Sequence, residues 1–119
     1  MKHFFDTEIA KEYGLIPAIL IEYIYDQTRK NRMNLGIRYC EITSKEIEEN
    51  YSYIKSDILA DSINDLIYKK IINYTCYYDS DEKKYIHRFQ LTDDKGYKLF
   101  EKREQKCQQL GSIKTKIIL

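Results

Sequence analysis

Hydrophobic and polar residues alternate with two different spacings along the chain, and each spacing predicts a different kind of element. Apolar positions at helical spacing, together with helix-capping residues, predict five helices, at residues 6–13, 18–30, 44–50, 55–70 and 93–109. Alternating, β-branched or aromatic runs predict three strands, at residues 38–42, 71–78 and 85–91. The polar segment 79–84 joins the last two strands. We therefore expect a mainly α-helical fold with a small antiparallel β-hairpin.

Polar residues mark where several of these helices begin. Either Asp6 or Thr7 can cap the first helix, because a short oxygen-bearing side chain accepts hydrogen bonds from the first free N–H groups. Thr43 with Glu46 three positions later has the pattern of a capping box. Thr92 occupies the corresponding position before the last helix. These residues predict helix starts near positions 7, 44 and 93.

The second helix, residues 18–30, is apolar on nearly every side of its first turns. A helix of this kind is covered on both sides. In so small a chain, we expect the second covering surface to come from another subunit, which predicts a homodimer formed through this helix, the last helix or both. The residues expected at this dimer interface are Ile19, Tyr23 and Ile24.

Length and composition limit the class of protein. The 119 residues leave room for one domain, expected at residues 1–110, followed by a flexible tail at 111–119. The chain is 33% charged, but its net charge is only +1, so bulk charge indicates neither nucleic acid nor membrane. The longest apolar run is too short to span a bilayer. Three irregularly spaced cysteines favour a reducing, cytoplasmic compartment.

The residue types needed for catalysis or metal binding are sparse. The two histidines, His3 and His87, lie far apart in sequence and accompany no nucleophile motif. The chain carries no glycine-rich phosphate loop and no cluster of residues at metal-ligand spacing. We therefore expect a non-enzymatic protein with no cofactor, no metal and no catalytic residues.

Two stretches resemble known families. One, Phe89-Gln90-Leu91-Thr92-Asp93-Asp94-Lys95-Gly96, resembles the strand-to-helix junction of MarR- and PadR-type regulators. The other, from Phe4 to Leu15, is similar to the opening of winged-helix domains in phage replisome-organiser and DnaD-like replication proteins. Together they imply a winged helix-turn-helix spanning about residues 4–104, in a protein of a phage or mobile element.

The resemblance implies binding to double-stranded DNA, in replication or transcription control. In that architecture the longer helix enters the major groove and the hairpin touches the neighbouring backbone. Three residues of the longer helix are expected to face the groove: Lys55, Ser56 and Asn64. Three residues of the hairpin are expected to hold the phosphate backbone: Lys83, Lys84 and Arg88.

The charge of the helix-turn-helix segment favours a second hypothesis. Residues 41–66 contain seven acidic side chains and two lysines, a net charge of −5. Such a segment could instead dock on a basic host nuclease or replication protein. A phage-encoded inhibitor that occupies the DNA-binding channel of a nuclease, such as a CRISPR effector, would fit this charge. The residues expected to make that contact are Glu48, Tyr53, Asp57, Asp61 and Tyr68.

Overall fold

The computed structural model describes residues 2–104, which are mainly helical and carry one small antiparallel sheet. In the described part of the chain, the α-helices are α1 (Thr7–Tyr13), α2 (Leu15–Leu35), α3 (Ser44–Asn50) and α4 (Ser56–Tyr68). The strands are β1 (Cys40–Thr43), β2 (Ile72–Asp79) and β3 (Lys84–Leu91). A 3-10 turn at Tyr97–Phe100 then leads into helical residues 101–104. No helix among residues 2–104 is long and apolar enough to cross a bilayer.

The sheet has three strands in the order β1–β3–β2, all antiparallel. The sequence predicted the β2–β3 hairpin and a separate short strand, and the structure joins that strand to the hairpin. Cys40 and Ile42 lie opposite Phe89 and His87, and both are 2% exposed. Pairing β1 with β3 therefore completes the sheet and buries the apolar side of β1.

Two predicted helix caps are confirmed, one at α1 and one at α3. The Asp6 carboxylate accepts from the N–H groups of Glu8 at 2.8 Å and Ile9 at 3.2 Å, so Asp6 is the cap of α1. The Thr43 hydroxyl accepts from the N–H of Glu46 at 3.1 Å and donates to the Glu46 carboxylate at 3.0 Å. Both caps are local contacts that a short sequence pattern is able to predict.

Two predicted helix boundaries are wrong. The second helix runs from Leu15 to Leu35, well beyond residues 18–30. It ends at Gly36, whose φ of +69° suits a residue without a side chain. The last helix does not begin at residue 93, because residues 93–96 form turns. The predicted helical residues 105–109 and the predicted tail, 111–119, lie outside the described residues.

Thr92 has a different role from the predicted cap of an α-helix. Its hydroxyl donates to the carbonyl of Lys70 at 2.6 Å and accepts from the N–H of Gly96 at 2.9 Å. Its own N–H donates to the carbonyl of Ile71 at 3.0 Å. Thr92 thus joins the end of β3 to the start of β2 and to the following turn.

Helix α2 runs through the centre of the fold, and several other elements of the chain pack against its middle. Helices α1 and α4 and strands β1 and β3 pack against it. Ile19 and Ile24 are only 7% and 2% exposed, so they offer almost no surface to a second subunit, while Tyr23 is half-buried. Part of the cover of α2 comes from this chain's own Phe100, whose ring stacks on Tyr25 with the centroids 3.9 Å apart, and the expected dimer interface on α2 stays a prediction.

The last described turn closes the fold through charged contacts, which we call the terminal clasp (Arg103 and Glu104). The Arg103 guanidinium donates to the Glu22 carboxylate at 2.5 Å and lies 3.5 Å from that of Asp6. The Glu104 carboxylate accepts from the hydroxyl of Tyr25 at 2.7 Å. The clasp therefore ties residues near position 104 to α2 and to the cap of α1.

Candidate functional site

Four exposed carboxylates on α3 and α4 receive no hydrogen bond from another described side chain, and we call them the acidic face (Glu48, Glu49, Asp57 and Asp61). The two aspartates lie one turn apart on α4 and therefore point to the same side. All four residues are exposed, and none forms an ion pair with any residue between positions 2 and 104.

Other acidic residues of the same segment are already neutralised. Asp65 lies 3.0 Å from the ammonium group of Lys69, one turn later on α4. Glu41 accepts from the Arg88 guanidinium at 3.2 Å. The negative charge of this segment that remains available to a partner is therefore carried by the acidic face and by exposed Glu46, whose carboxylate accepts a hydrogen bond from the neutral Thr43 hydroxyl.

Exposed apolar and aromatic side chains accompany the acidic face. Tyr68 is 86% exposed and lies on the same stripe of α4 as Asp57, Asp61 and Asn64. Tyr53, in the turn before α4, is 62% exposed. The structure thus places all five predicted protein-contact residues on α3, α4 or the turn between them, with Tyr68 as the last residue of α4.

The N-terminal segment holds this turn, through a contact that the sequence did not predict. The ring of His3 stacks on Tyr51 at 4.8 Å, and its Nδ1 is hydrogen-bonded to the Tyr53 hydroxyl. Burial lowers the pKa of His3 below its usual range, and a nearby positive charge at the N-terminus adds to this effect. Because 50 residues separate His3 from Tyr53, no local pattern could have indicated the contact.

The three predicted groove-facing residues lie on the exposed side of α4. Lys55 is the first flanking residue of the helix, Ser56 is its first residue, and Asn64 shares the stripe of Asp57 and Asp61. Lys55 forms no ion pair within residues 2–104. A DNA backbone approaching this helix would meet one free cation beside two carboxylates.

The tip of the hairpin is less basic than its two lysines suggest. Residues 79–84 contain three acids and two lysines, a net charge of −1. Lys84 lies 2.5 Å from the Glu82 carboxylate, and this hydrogen bond raises the pKa of Lys84. Lys83, exposed at φ +54°, forms no ion pair in the described part of the chain.

The third predicted backbone contact, Arg88, already has partners within the sheet. Its guanidinium lies 4.1 Å from the ring centroid of Tyr39 and 5.8 Å from that of Tyr77. It also donates to Glu41, which accepts from the Tyr77 hydroxyl at 2.5 Å. Releasing Arg88 to a phosphate would therefore break an ion pair and two cation–π contacts.

His87 links three elements and is another contact that the sequence did not predict. The Ser44 hydroxyl lies 2.8 Å from Nε2, and the Tyr74 hydroxyl lies 2.6 Å from Nδ1. Burial lowers the pKa of His87 below its usual range, which favours the neutral ring. A neutral imidazole donates to one hydroxyl and accepts from the other. This arrangement holds the start of α3 against β2 and β3.

The described residues show no arrangement that resembles a metal centre. Between positions 2 and 104, no three histidine, cysteine or acidic side chains come close enough to hold a metal ion together. Comparison with known proteins gives no match to a family model and none to a curated protein. The function must therefore be inferred from the arrangement of the chain's own side chains.

Proposed function

We propose that this protein is a winged helix-turn-helix domain that binds a basic surface of a partner protein through its acidic face. The observation that carries the proposal is the set of four exposed carboxylates without ion pairs on α3 and α4. In a DNA-binding winged helix the second helix of this pair enters the major groove and the first crosses the phosphate backbone, so both lie near phosphates.

The order of elements supports a winged helix. Strand β1 follows the central helix α2, then come the α3–α4 pair and the β2–β3 hairpin, with all three strands in one sheet. The residues that resemble the MarR- and PadR-type junction form the end of β3 and the turn that follows it. Leu91 is fully buried and the hydroxyl of Thr92 bonds to both sides of the junction. The sequence resemblance therefore coincides with residues that hold the hairpin in place.

The sign of the charge favours a protein over DNA. In water, two unit charges about 7 Å apart interact by roughly 0.6 kcal/mol. Four carboxylates at that distance from phosphates would oppose binding by roughly 2 kcal/mol before salt screening. The same carboxylates would attract lysine and arginine side chains and would speed encounter with a basic surface.

The aromatic side chains near the acidic face provide apolar contact area. Tyr53 and Tyr68 are well exposed, and Ile58, next to Asp57, is 45% exposed. Tyrosine is frequent among residues that dominate protein–protein affinity, and charged side chains around it set partner choice. The nucleic-acid channel of a host nuclease or replication protein offers the required basic surface. A phage-encoded inhibitor would block such a channel by occupying it.

The test compares two double charge reversals of equal size. Asp57→Lys with Asp61→Lys changes the acidic face, and Asp94→Lys with Glu101→Lys changes exposed acids elsewhere that form no ion pair with described residues. Binding is measured by fluorescence anisotropy against a panel of purified nucleases and replication proteins with basic DNA channels. We expect salt-sensitive binding that the first variant loses and the second keeps.

Duplex DNA is the second candidate ligand, and one observation favours it. Lys55 and Lys83, at the start of α4 and at the hairpin tip, are exposed and form no ion pair within residues 2–104. Binding of random duplexes is therefore measured from about 50 to 200 mM salt. Steep salt dependence that Lys55→Ala with Lys83→Ala makes shallower, and that Asp57→Lys with Asp61→Lys strengthens, would replace the proposal with DNA binding.

A further inference from the structure

Strand β2 lies at one edge of the sheet and is paired on one side only. Its eight residues pair with β3, and no other strand among residues 2–104 lies beside it. In an antiparallel ladder every second residue of an edge strand points its N–H and C=O groups away from the neighbouring strand. Strand β2 therefore presents a row of backbone donors and acceptors that another strand could pair with.

This edge lacks the features by which proteins usually prevent strand pairing. Residues 73–78 contain no lysine, no proline and no acidic side chain, and five of the six are exposed. They are tyrosine, threonine, cysteine and asparagine, most of which favour extended backbone. Natural edge strands are commonly short, charged or interrupted by proline. The opposite edge follows that rule, because β1 has four residues and carries Glu41.

The charges at the two ends of β2 are complementary to each other. Lys70, which forms no ion pair with the described residues, precedes the strand. The hairpin tip at the other end, residues 79–84, has a net charge of −1, because Lys83 and Lys84 offset two of its three acids. When two copies of such a strand run antiparallel, the basic end of each lies beside the acidic end of the other. Parallel pairing would instead place like charges together, which is unfavourable.

We propose that two copies of this chain associate by antiparallel pairing of their β2 strands, which forms one continuous six-stranded sheet. Two-fold symmetry with the strands antiparallel requires the axis to be perpendicular to the sheet, so residues that lie opposite each other share one face. The axis lies near the middle of β2, between the two copies of Thr75 or between the two copies of Cys76. The first register places Thr75 opposite Thr75 of the second copy, and the other does the same for Cys76.

The pairing assigns the dimer to a different surface from the one first expected. Ile19 and Ile24 of α2 are buried within the chain, whereas Thr75 and Cys76 are exposed. The interface is self-complementary, as two-fold dimers require. The interface does not include the acidic face, so an experiment that contradicts the dimer does not contradict the proposed function, and the reverse also holds.

Disulfide cross-linking tests the position of the axis. In a Cys107→Ser background, Cys76 is the exposed thiol among the described residues, and Cys40 is buried. This Cys107→Ser chain is the first variant. The second adds Thr75→Cys with Cys76→Ser, which moves the thiol by one residue. The third adds Asp94→Cys with Cys76→Ser, which moves the thiol to a distant exposed site. Diamide oxidises two thiols to a disulfide and takes up their two hydrogens. We expect rapid intermolecular disulfide formation for one of the first two variants and none for the third.

Sedimentation velocity tests the association without any cross-link. We expect a concentration-dependent dimer, and at least a tenfold rise in its dissociation constant when Thr75→Lys and Cys76→Lys place like charges at the axis. Circular dichroism checks that this variant keeps its helices. If it does not fold, cross-linking alone decides the outcome.

Three results would overturn the proposal. One is a monomer at about 100 µM, a concentration roughly a hundred times a dissociation constant of about 1 µM. Another is a dimer that forms the Asp94→Cys cross-link as readily as the β2 cross-links. The third is an intramolecular disulfide between Cys76 and Cys107 in the unmodified chain, which would place the chain's own C-terminal segment against the β2 edge.

Discussion

Replacing Gly96 by alanine should have two effects of opposite sign on stability, a gain from helix propensity and a loss from steric crowding. Gly96 has a helical backbone, with φ −63° and ψ −52°, where alanine is ordinarily more stable than glycine by roughly 1 kcal/mol. The atoms packed around Gly96 should instead make the change in stability unfavourable. A Cβ at Gly96 would lie 2.5 Å from the carbonyl oxygen of Ile71, 2.7 Å from the nitrogen of Thr92 and 2.9 Å from the Cβ of Leu91. We therefore expect Gly96→Ala to destabilise the protein.

The size of the loss in stability follows from the atoms that the added methyl group would contact. Two of the three nearest atoms belong to the backbone, and they are the two partners of the 3.0 Å hydrogen bond from Thr92 to Ile71. Losing that bond costs about 1 kcal/mol, and crowding a packed site costs about 1–3 kcal/mol. After the propensity gain is subtracted, the net loss is about 1–3 kcal/mol. For a domain of this size that lowers Tm by roughly 5–20 °C.

Thermal and urea unfolding of Gly96→Ala measure this loss, and Gly36→Ala is the matched control. Gly36 has a φ of +69° and no atom within 4 Å of an added Cβ, so its substitution introduces backbone strain alone. That strain costs about 1 kcal/mol. A Gly96→Ala variant as stable as the wild type would refute the steric argument. It would also show that the turn after β3 is able to move away from Ile71.

Two further predictions concern the histidines and the terminal clasp. Burial lowers the folded-state pKa of His3 and His87 below the usual 6.5, so the unfolded chain binds more protons and the free energy of unfolding should fall as the pH drops below about 6.5. His87→Gln should make this pH dependence shallower in urea titrations between pH 7 and 5, and an unchanged slope would contradict the assignment. Arg103→Met removes the partner of Glu22, whose side chain is only 16% exposed, and should cost about 1–3 kcal/mol. Arg103→Lys, which keeps the charge but not the two-pronged contact, should recover part of that loss, and equal stability of all three proteins would show that the clasp adds nothing.

Contacts between neighbours in sequence were the most predictable part of the fold. Asp6 and Thr43 cap their helices through residues two or three positions away. The β2–β3 hairpin follows from two strand-forming runs around a polar turn. In each case the residues that make the contact also lie within the pattern that predicts it.

Contacts between distant residues decided the candidate site, and a single sequence does not contain them. The winged-helix resemblance assigned Arg88 to DNA, but Glu41, 47 residues away in the sequence, already pairs with its guanidinium. The hydrogen bond between Ser44 and His87 joins residues 43 positions apart, and the spacing of apolar residues along the chain does not predict it either. The acidic face was predictable, because exposed helix positions follow from helical spacing and need no partner.

The terminal clasp also has a consequence for how the chain folds as it is made. Helix α2 is complete by residue 35, yet Phe100, Arg103 and Glu104 complete its cover. At about 5–20 residues per second, a ribosome needs roughly 3 to 14 s to add the 69 residues from Leu35 to Glu104. Throughout that interval the apolar side of α2 facing Phe100 is uncovered, which is when chaperones have access to it. The arrival of residues 100–104, more than synthesis of any single helix, then sets the moment at which this side of α2 is covered.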